Sequence, residues 1–216
     1  MKILSYNSSS CTQSKVDQLF THKADVYVVP EIARDIKLSE SYSMEWIGNY
    51  PPKGLGIIYS INASVPKCYD NSLTYAIPLL YEDLFVLAFW PTKVEKNESY
   101  TQIAKRILTH YSAELKKHKS IVTGDLNLYN KKGSPNKDAN ILEIDELLKE
   151  CGLKSVYHEK TDKAFGDETE QTYFHQFKEE NPFFLDYTYS NFSIEKYKLL
   201  PWDKNFSDHV GQIIEF

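Results

Sequence analysis

The chain has 216 residues, a formal net charge of −5 and a sequence pI of about 5.7, so no overall positive field draws it to a polyanion. Apolar residues make up 42% and charged residues 25%, with 16 tyrosines and 11 phenylalanines; this excludes a disordered chain and leans towards strands. No window approaches the roughly 18 apolar residues of a membrane span, the opening MKILSYNSSS has no signal-peptide core, and the scattered Cys11, Cys68 and Cys151 fit reduced thiols of a cytoplasmic protein better than disulfides or a zinc site.

In chain order, the apolar pattern predicts a short strand over Lys2–Tyr6, then a helical stretch around Val16, Leu19 and Phe20. The β-branched run from Asp25 suits a buried strand that Pro30 ends. Strands follow at Met44–Ile47, Leu55–Ser60, Val65–Tyr69, Thr74–Leu80 and Leu84–Trp90, separated by Gly, Asn, Pro and Asp, as an antiparallel meander. Ile103, Ile107, Leu108, Tyr111 and Leu115 define a helix over Tyr100–Lys117, and Ser120–Thr123 returns to strand. A second helix spans Ile141–Cys151 and stops at Gly152. Short strands are predicted at Leu153–Tyr157, Gln171–Phe174, Phe184–Ser190, Ile194–Leu200 and Val210–Phe216. No linker or repeat divides the chain, which reads as one domain over residues 1–216.

Polar residues punctuate four of these strands. Ser120-Ile-Val-Thr-Gly-Asp-Leu-Asn127 is an apolar strand that stops at glycine and presents Asp125 and Asn127, which share a side if the segment stays extended. The carboxylate can take a proton from water and the amide can hold a phosphate oxygen or orient the carboxylate; the same residues also suit a turn. Before the last strand, Ser207-Asp208-His209 offers a hard oxygen and an imidazole, or ordinary loop surface. Glu31 closes the second strand as a magnesium-type ligand or a solvated acid. Asp186, inside the aromatic run Leu185–Tyr189, needs a partner if buried, and a histidine would serve. Lys116–Lys119 and the stretch from Lys131 to Lys137 are basic and open to phosphate contact.

Taken in order, Ser-Tyr-Asn7, Pro-Glu31, Gly-Asp125-Leu-Asn127, Leu-Asp186-Tyr and Ser-Asp208-His209 resemble the motifs of the endonuclease/exonuclease/phosphatase superfamily over nearly the whole chain. The resemblance implies an α+β, DNase I-like fold: a four-layer α/β/β/α sandwich of two packed mixed sheets flanked by helices, each half of the chain supplying one sheet. It implies a phosphoesterase in which Glu31, Asn7 and Asp208 hold Mg²⁺ or Mn²⁺, Asp125 activates water with Asn127 beside it, and Asp186 orients His209. Tyr100, Trp90 and Lys93 are candidate substrate contacts, and Trp46, Tyr50 and Trp202 further stacking surfaces. The favoured substrate is nucleic acid, cut by a monomer; the alternatives are a small-molecule, nucleotide or lipid phosphate ester, or a catalytically inactive binding domain. Two departures stand out: Ala88–Thr92 carries no histidine where many members have one, and Ser9 stands where apurinic endonucleases have an aspartate.

Overall fold

The computed structural model describes residues 1–92, 97–131 and 138–216. Its elements run β1 (Lys2–Ser5), α1 (Gln13–Phe20), β2 (Val26–Ile32), β3 (Ser43–Tyr50), β4 (Lys53–Tyr59), β5 (Ala76–Tyr81), β6 (Leu84–Phe89) and α2 (Tyr100–Lys117). Then come β7 (Lys119–Asp125), α3 (Ile141–Glu150), β8 (Lys154–Ser155), α4 (Val156–Thr161), β9 (Asp186–Ser190), β10 (Lys196–Leu199) and β11 (Gln212–Glu215). One sheet has the order β10-β11-β1-β2-β4-β3 and the other β5-β6-β7-β9-β8. Both are mixed: β1 pairs parallel with β2, and β6 with β7, while the other pairs are antiparallel.

The layering follows from alternation along the strands, because successive side chains point to opposite faces of a sheet. Ile3, Val26, Val28, Leu55 and Ile57 of the first sheet meet Ile77, Leu79, Val86, Ala88 and Ile121 of the second. The opposite face of the first sheet, with Leu4, Tyr27, Val29 and Ile58, takes Val16 and Leu19 of α1. The opposite face of the second, with Phe85, Leu87, Phe89 and Val122, takes the apolar stripes of α2 and α3. The expected four layers are therefore present. The long helix is held at its start by a capping box, in which the Ser99 side chain accepts from the Gln102 N–H while the Gln102 side chain accepts from the Ser99 N–H.

Several expectations change. The halves of the chain do not each supply one sheet: β10 and β11 cross back to pair beside β1. The meander is likewise two separate hairpins, β3–β4 in one sheet and β5–β6 in the other. Val65–Tyr69 is not a strand; only the neighbouring Ser64 bridges to Leu80, and Pro66 starts a turn. Within Leu153–Tyr157 only two residues are extended, after which Val156 and Tyr157 turn into α4 to bury their side chains. Gln171–Phe174 forms isolated bridges at Tyr173 rather than a strand.

Candidate active site

Strand polarity decides which motif residues meet. β1 runs antiparallel to β11 and parallel to β2, so the residues after β1 lie beside those before β11 and those ending β2. In the other sheet, Asp125 at the end of β7 pairs directly with Asp186 at the start of β9. All of these ends fall at one rim, where Asn7, Glu31, Asp125, Asp186 and His209 come together.

The two aspartates face each other across an antiparallel ladder, an unfavourable place for like charges. His209 resolves this by standing between them: its Nδ1 is 2.9 Å from Asp186 Oδ2 and its Nε2 is 3.8 Å from Asp125 Oδ2. All three are buried. The Asn7 amide donates to Asp125 Oδ2 at 2.9 Å, and more distantly reaches Glu31 Oε1 and His209 Nε2, each at 3.4 Å. Ser207 ties the two strand ends together, donating to the Asn7 carbonyl at 2.6 Å while its Oγ accepts from the His209 N–H at 3.0 Å. The Thr172 hydroxyl accepts from the backbone N–H of Leu185 and of Asp186, fixing the start of β9.

These surroundings shift the titrations. Burial pushes Asp125 up to about 7, with the His209 charge opposing it, Asp186 adding to it and the Asn7 and Asn127 donors opposing it. Asp186 is also raised by burial, against the pull of His209 and Thr172. Burial alone would lower His209, but the carboxylates of Asp186 and Asp125 outweigh it and hold the imidazole up at about 9. The carboxylates thus favour the charged form of the imidazole, while burial opposes their own ionisation.

The local sequence explains these placements. Gly124 has φ +152, and a Cβ there would lie 1.9 Å from the Phe89 carbonyl oxygen, so only glycine lets β7 approach the end of β6 at this point. Asn127 does not continue the strand beside Asp125: it is left-handed (φ +53), its N–H returns to Asp125 Oδ1 at 3.0 Å, and its amide donates to the Pro91 carbonyl. Gly-Asp-Leu-Asn therefore forms a turn, and that turn places Asp125 and Asn127 at the rim. Pro30 does not end β2 either. The strand continues to Ile32 through a bulge at Glu31, whose φ of +66 turns its carboxylate to the rim, where it meets Lys53 Nζ at 2.9 Å. Asp208 is half-buried and close enough to raise His209 and Tyr173 by its charge.

The other candidates divide. Tyr100 is half-buried at the start of α2, and its hydroxyl is raised first by that burial and then by the charge of Asp125. Trp90 is only 4% exposed and packs edge-on to Tyr75 at 4.9 Å, so it offers no face to a base; sequence alone does not distinguish a core indole from a stacking one. Lys93 lies outside the described residues. Trp202 stacks on Phe174 at 4.0 Å and Trp46 packs over the β3–β4 hairpin, donating to the Ile32 carbonyl, whereas Tyr50 is 63% exposed. Lys116–Lys119 sits at the start of β7, about 20 Å of strand from Asp125 at its end, so it is remote from this rim; Lys132–Lys137 is outside the described residues. Sequence reasoning assigned nothing to Lys53, Thr172 or Tyr173. The Tyr173 ring lies 4.6 Å from that of His209, and its hydroxyl engages His175 Nδ1 at 2.7 Å.

Two mixed sheets packed between helices make a DNase I-like fold. Solved structures agree with that assignment. The 3'-5' exonuclease NExo from Neisseria meningitidis superposes with a TM-score of 0.75 at 15% identity, covering 100% of this chain and 99% of its own. A structure of an aspartate-to-asparagine variant of the 3' phosphatase NExo from Neisseria, bound to product DNA hairpin, gives the same values. The endonuclease domain of TRAS1, a telomere-specific non-LTR retrotransposon, follows at 0.68 and 15%, covering 100% and 97%. No protein-family model and no curated protein matches the sequence.

Proposed function

We propose that this protein is a divalent-metal-dependent phosphoesterase that hydrolyses phosphodiester bonds in nucleic acid, acting in the cytoplasm through the rim built around Asp125 and His209. The observation that carries the reading is the imidazole held between two buried carboxylates, with Asn7 and Glu31 beside it. The fold neighbours are described as exonuclease, 3' phosphatase and endonuclease, and each of these activities breaks a phosphate ester.

The donor set fits a hard cation. Among the described residues, Asp125, Asp186 and His209 are the acid and imidazole group whose ligand atoms lie within 4.8 Å of one another, but Asp186 and Nδ1 of His209 already satisfy each other at 2.9 Å. Glu31 and Asp208 offer carboxylate oxygens in a less enclosed position and the buried Asn7 an amide oxygen near Glu31, the chemistry that Mg²⁺ or Mn²⁺ selects. When bound there, the ion would neutralise non-bridging phosphate oxygens and stabilise the leaving alkoxide.

The chain's own groups divide the remaining work. Asp125, ionised above about pH 7, takes the proton of the attacking water. The Asn127 N–H and the Asn7 amide hold its two oxygens in place, so the base is oriented before substrate arrives. His209, kept charged and fixed by Asp186, donates to the phosphate as negative charge develops. Asn127 turns that N–H towards Asp125 because its backbone is left-handed.

A small phosphate ester is the second reading, favoured by the net charge of −5 and by the distance of Lys116–Lys119 from the rim. Plasmid, single-stranded DNA, RNA, abasic duplex and a chromogenic bis-phosphodiester, each incubated with Mg²⁺, Mn²⁺ or EDTA, test both. Metal-dependent cleavage of a polynucleotide supports the first reading, and turnover of the small diester alone supports the second. No metal-dependent turnover of any of them refutes both and leaves a binding domain.

A further inference from the structure

The rim gathers Glu31, Asp125, Asp186 and Asp208, yet the proposed substrate is itself an anion. His209 supplies one positive charge, but its ring is buried and hydrogen-bonded on the Asp186 side. Ala88–Thr92, the strand end without a histidine, brings no cation to this place. Lys15 is committed elsewhere: its ammonium donates to the carbonyls of Ser8 and Ser9 and so anchors the loop that follows Asn7.

Lys53 differs. It opens β4 opposite Tyr50, where the β3–β4 hairpin closes, and the turn is pinned by the Arg34 N–H donating to the Pro51 carbonyl at 2.8 Å. The Glu31 bulge falls where β2 meets the start of β4, so the two side chains meet, Nζ to Oε2 at 2.9 Å. The ammonium also lies 6.0 Å from the centre of the Trp90 ring. Lys53 keeps 44% of its side chain exposed, so the pair is strong enough to position the lysine and weak enough to break.

We propose that Lys53 has two successive partners: it neutralises Glu31 while the metal is absent, and once a cation takes that carboxylate its ammonium binds a non-bridging oxygen of the phosphodiester. Lysine and metal compete for Glu31, whereas lysine and metal cooperate on the phosphate. This role rests on the phosphoesterase reading and adds a substrate contact to it.

The two halves predict opposite signs for one substitution. With Lys53→Met, Mn²⁺ titrated calorimetrically into the substrate-free protein should bind about three- to fivefold tighter, the range a partly exposed ion pair supports. In the same variant, KM for bis(p-nitrophenyl) phosphate should rise about tenfold, the loss falling on KM more than on kcat, as for one charge-assisted hydrogen bond. Lys53→Arg should recover part of the KM and lose the tighter metal binding. Unchanged or weaker Mn²⁺ binding by Lys53→Met, or an unchanged KM, overturns the role while leaving the phosphoesterase reading standing. Wild type that shows no metal-dependent turnover of the diester or of any polynucleotide overturns that reading, and this proposal with it.

Discussion

Replacing the proposed base with its amide, Asp125→Asn, should make the metal-free protein progressively more stable than wild type as the pH rises. Asp125 is buried, and its folded value is about 7 against an ordinary 3.8, so the folded state holds the proton more tightly than the unfolded chain. Its contribution to stability is therefore full below about pH 4 and is lost as pH rises through about 7. Between about pH 5 and pH 8 that loss amounts to about 2–3 kcal/mol of wild-type stability, from which the uncharged variant is exempt. His209 moves the same way: it is raised from 6.5 to about 9 in part by Asp125, so wild type also loses more of its histidine stabilisation over that range than the variant does. The new amide faces the Asn7 amide donor and costs a constant amount, which makes the slope with pH the quantity to read. Urea unfolding in EDTA at several pH values, followed by circular dichroism, gives that slope. Parallel stability profiles for the two proteins would refute the buried, proton-holding Asp125 on which the mechanism depends.

Four further outcomes follow from the geometry. The same Asp125→Asn protein should lose at least about 10²-fold in turnover, while Glu31→Gln should raise the metal concentration needed for half-maximal activity more than it raises KM; superimposable metal titrations would remove Glu31 from the site. Asp186→Ala and His209→Ala should each lower turnover substantially, and the double variant should be little worse than His209→Ala, because the carboxylate acts through the ring it holds at 2.9 Å. Multiplicative losses in that cycle would separate the two residues. Gly124→Ala should destabilise the fold by more than about 1 kcal/mol in thermal or urea unfolding, since it combines positive φ with a collision against the Phe89 carbonyl; a wild-type melting temperature would contradict that packing.

How much was legible depended on whether the signal was local. Helices α1, α2 and α3 and the long strands announce themselves because their apolar residues repeat at the period of the element, and the motif residues stand at strand ends that the pattern also marks. Leu153–Tyr157 is too short for its period to decide between strand and helix, and Tyr173 bridges to Phe183 and His209 without forming a strand. The crossing of β10 and β11 to the first sheet is a long-range pairing on which no short window bears. The residues that gather at the rim were readable as types, but their orientation was not: the Glu31 bulge and the left-handed Asn127 are backbone decisions made against neighbouring strands. Trp90 and Lys53 show the limit on side-chain role. An indole in a strand-end segment went to the core, and a lysine in a Pro-Pro-Lys-Gly turn arrived at a carboxylate.

The closure between β1 and β11 also has a kinetic meaning. Asn7 and His209 are separated by 202 residues along the chain, and they meet only when the last strand docks beside the first. The helices, by contrast, are built from contacts within a few residues. Long-range pairing of this kind is slow relative to local structure, because the chain entropy of closing the loop is lost before the contact forms. During refolding, hydrolytic activity should therefore reappear after the far-ultraviolet helical signal and together with docking of β11. On the proposed function, recovered hydrolysis would therefore report the docking of β11 beside β1.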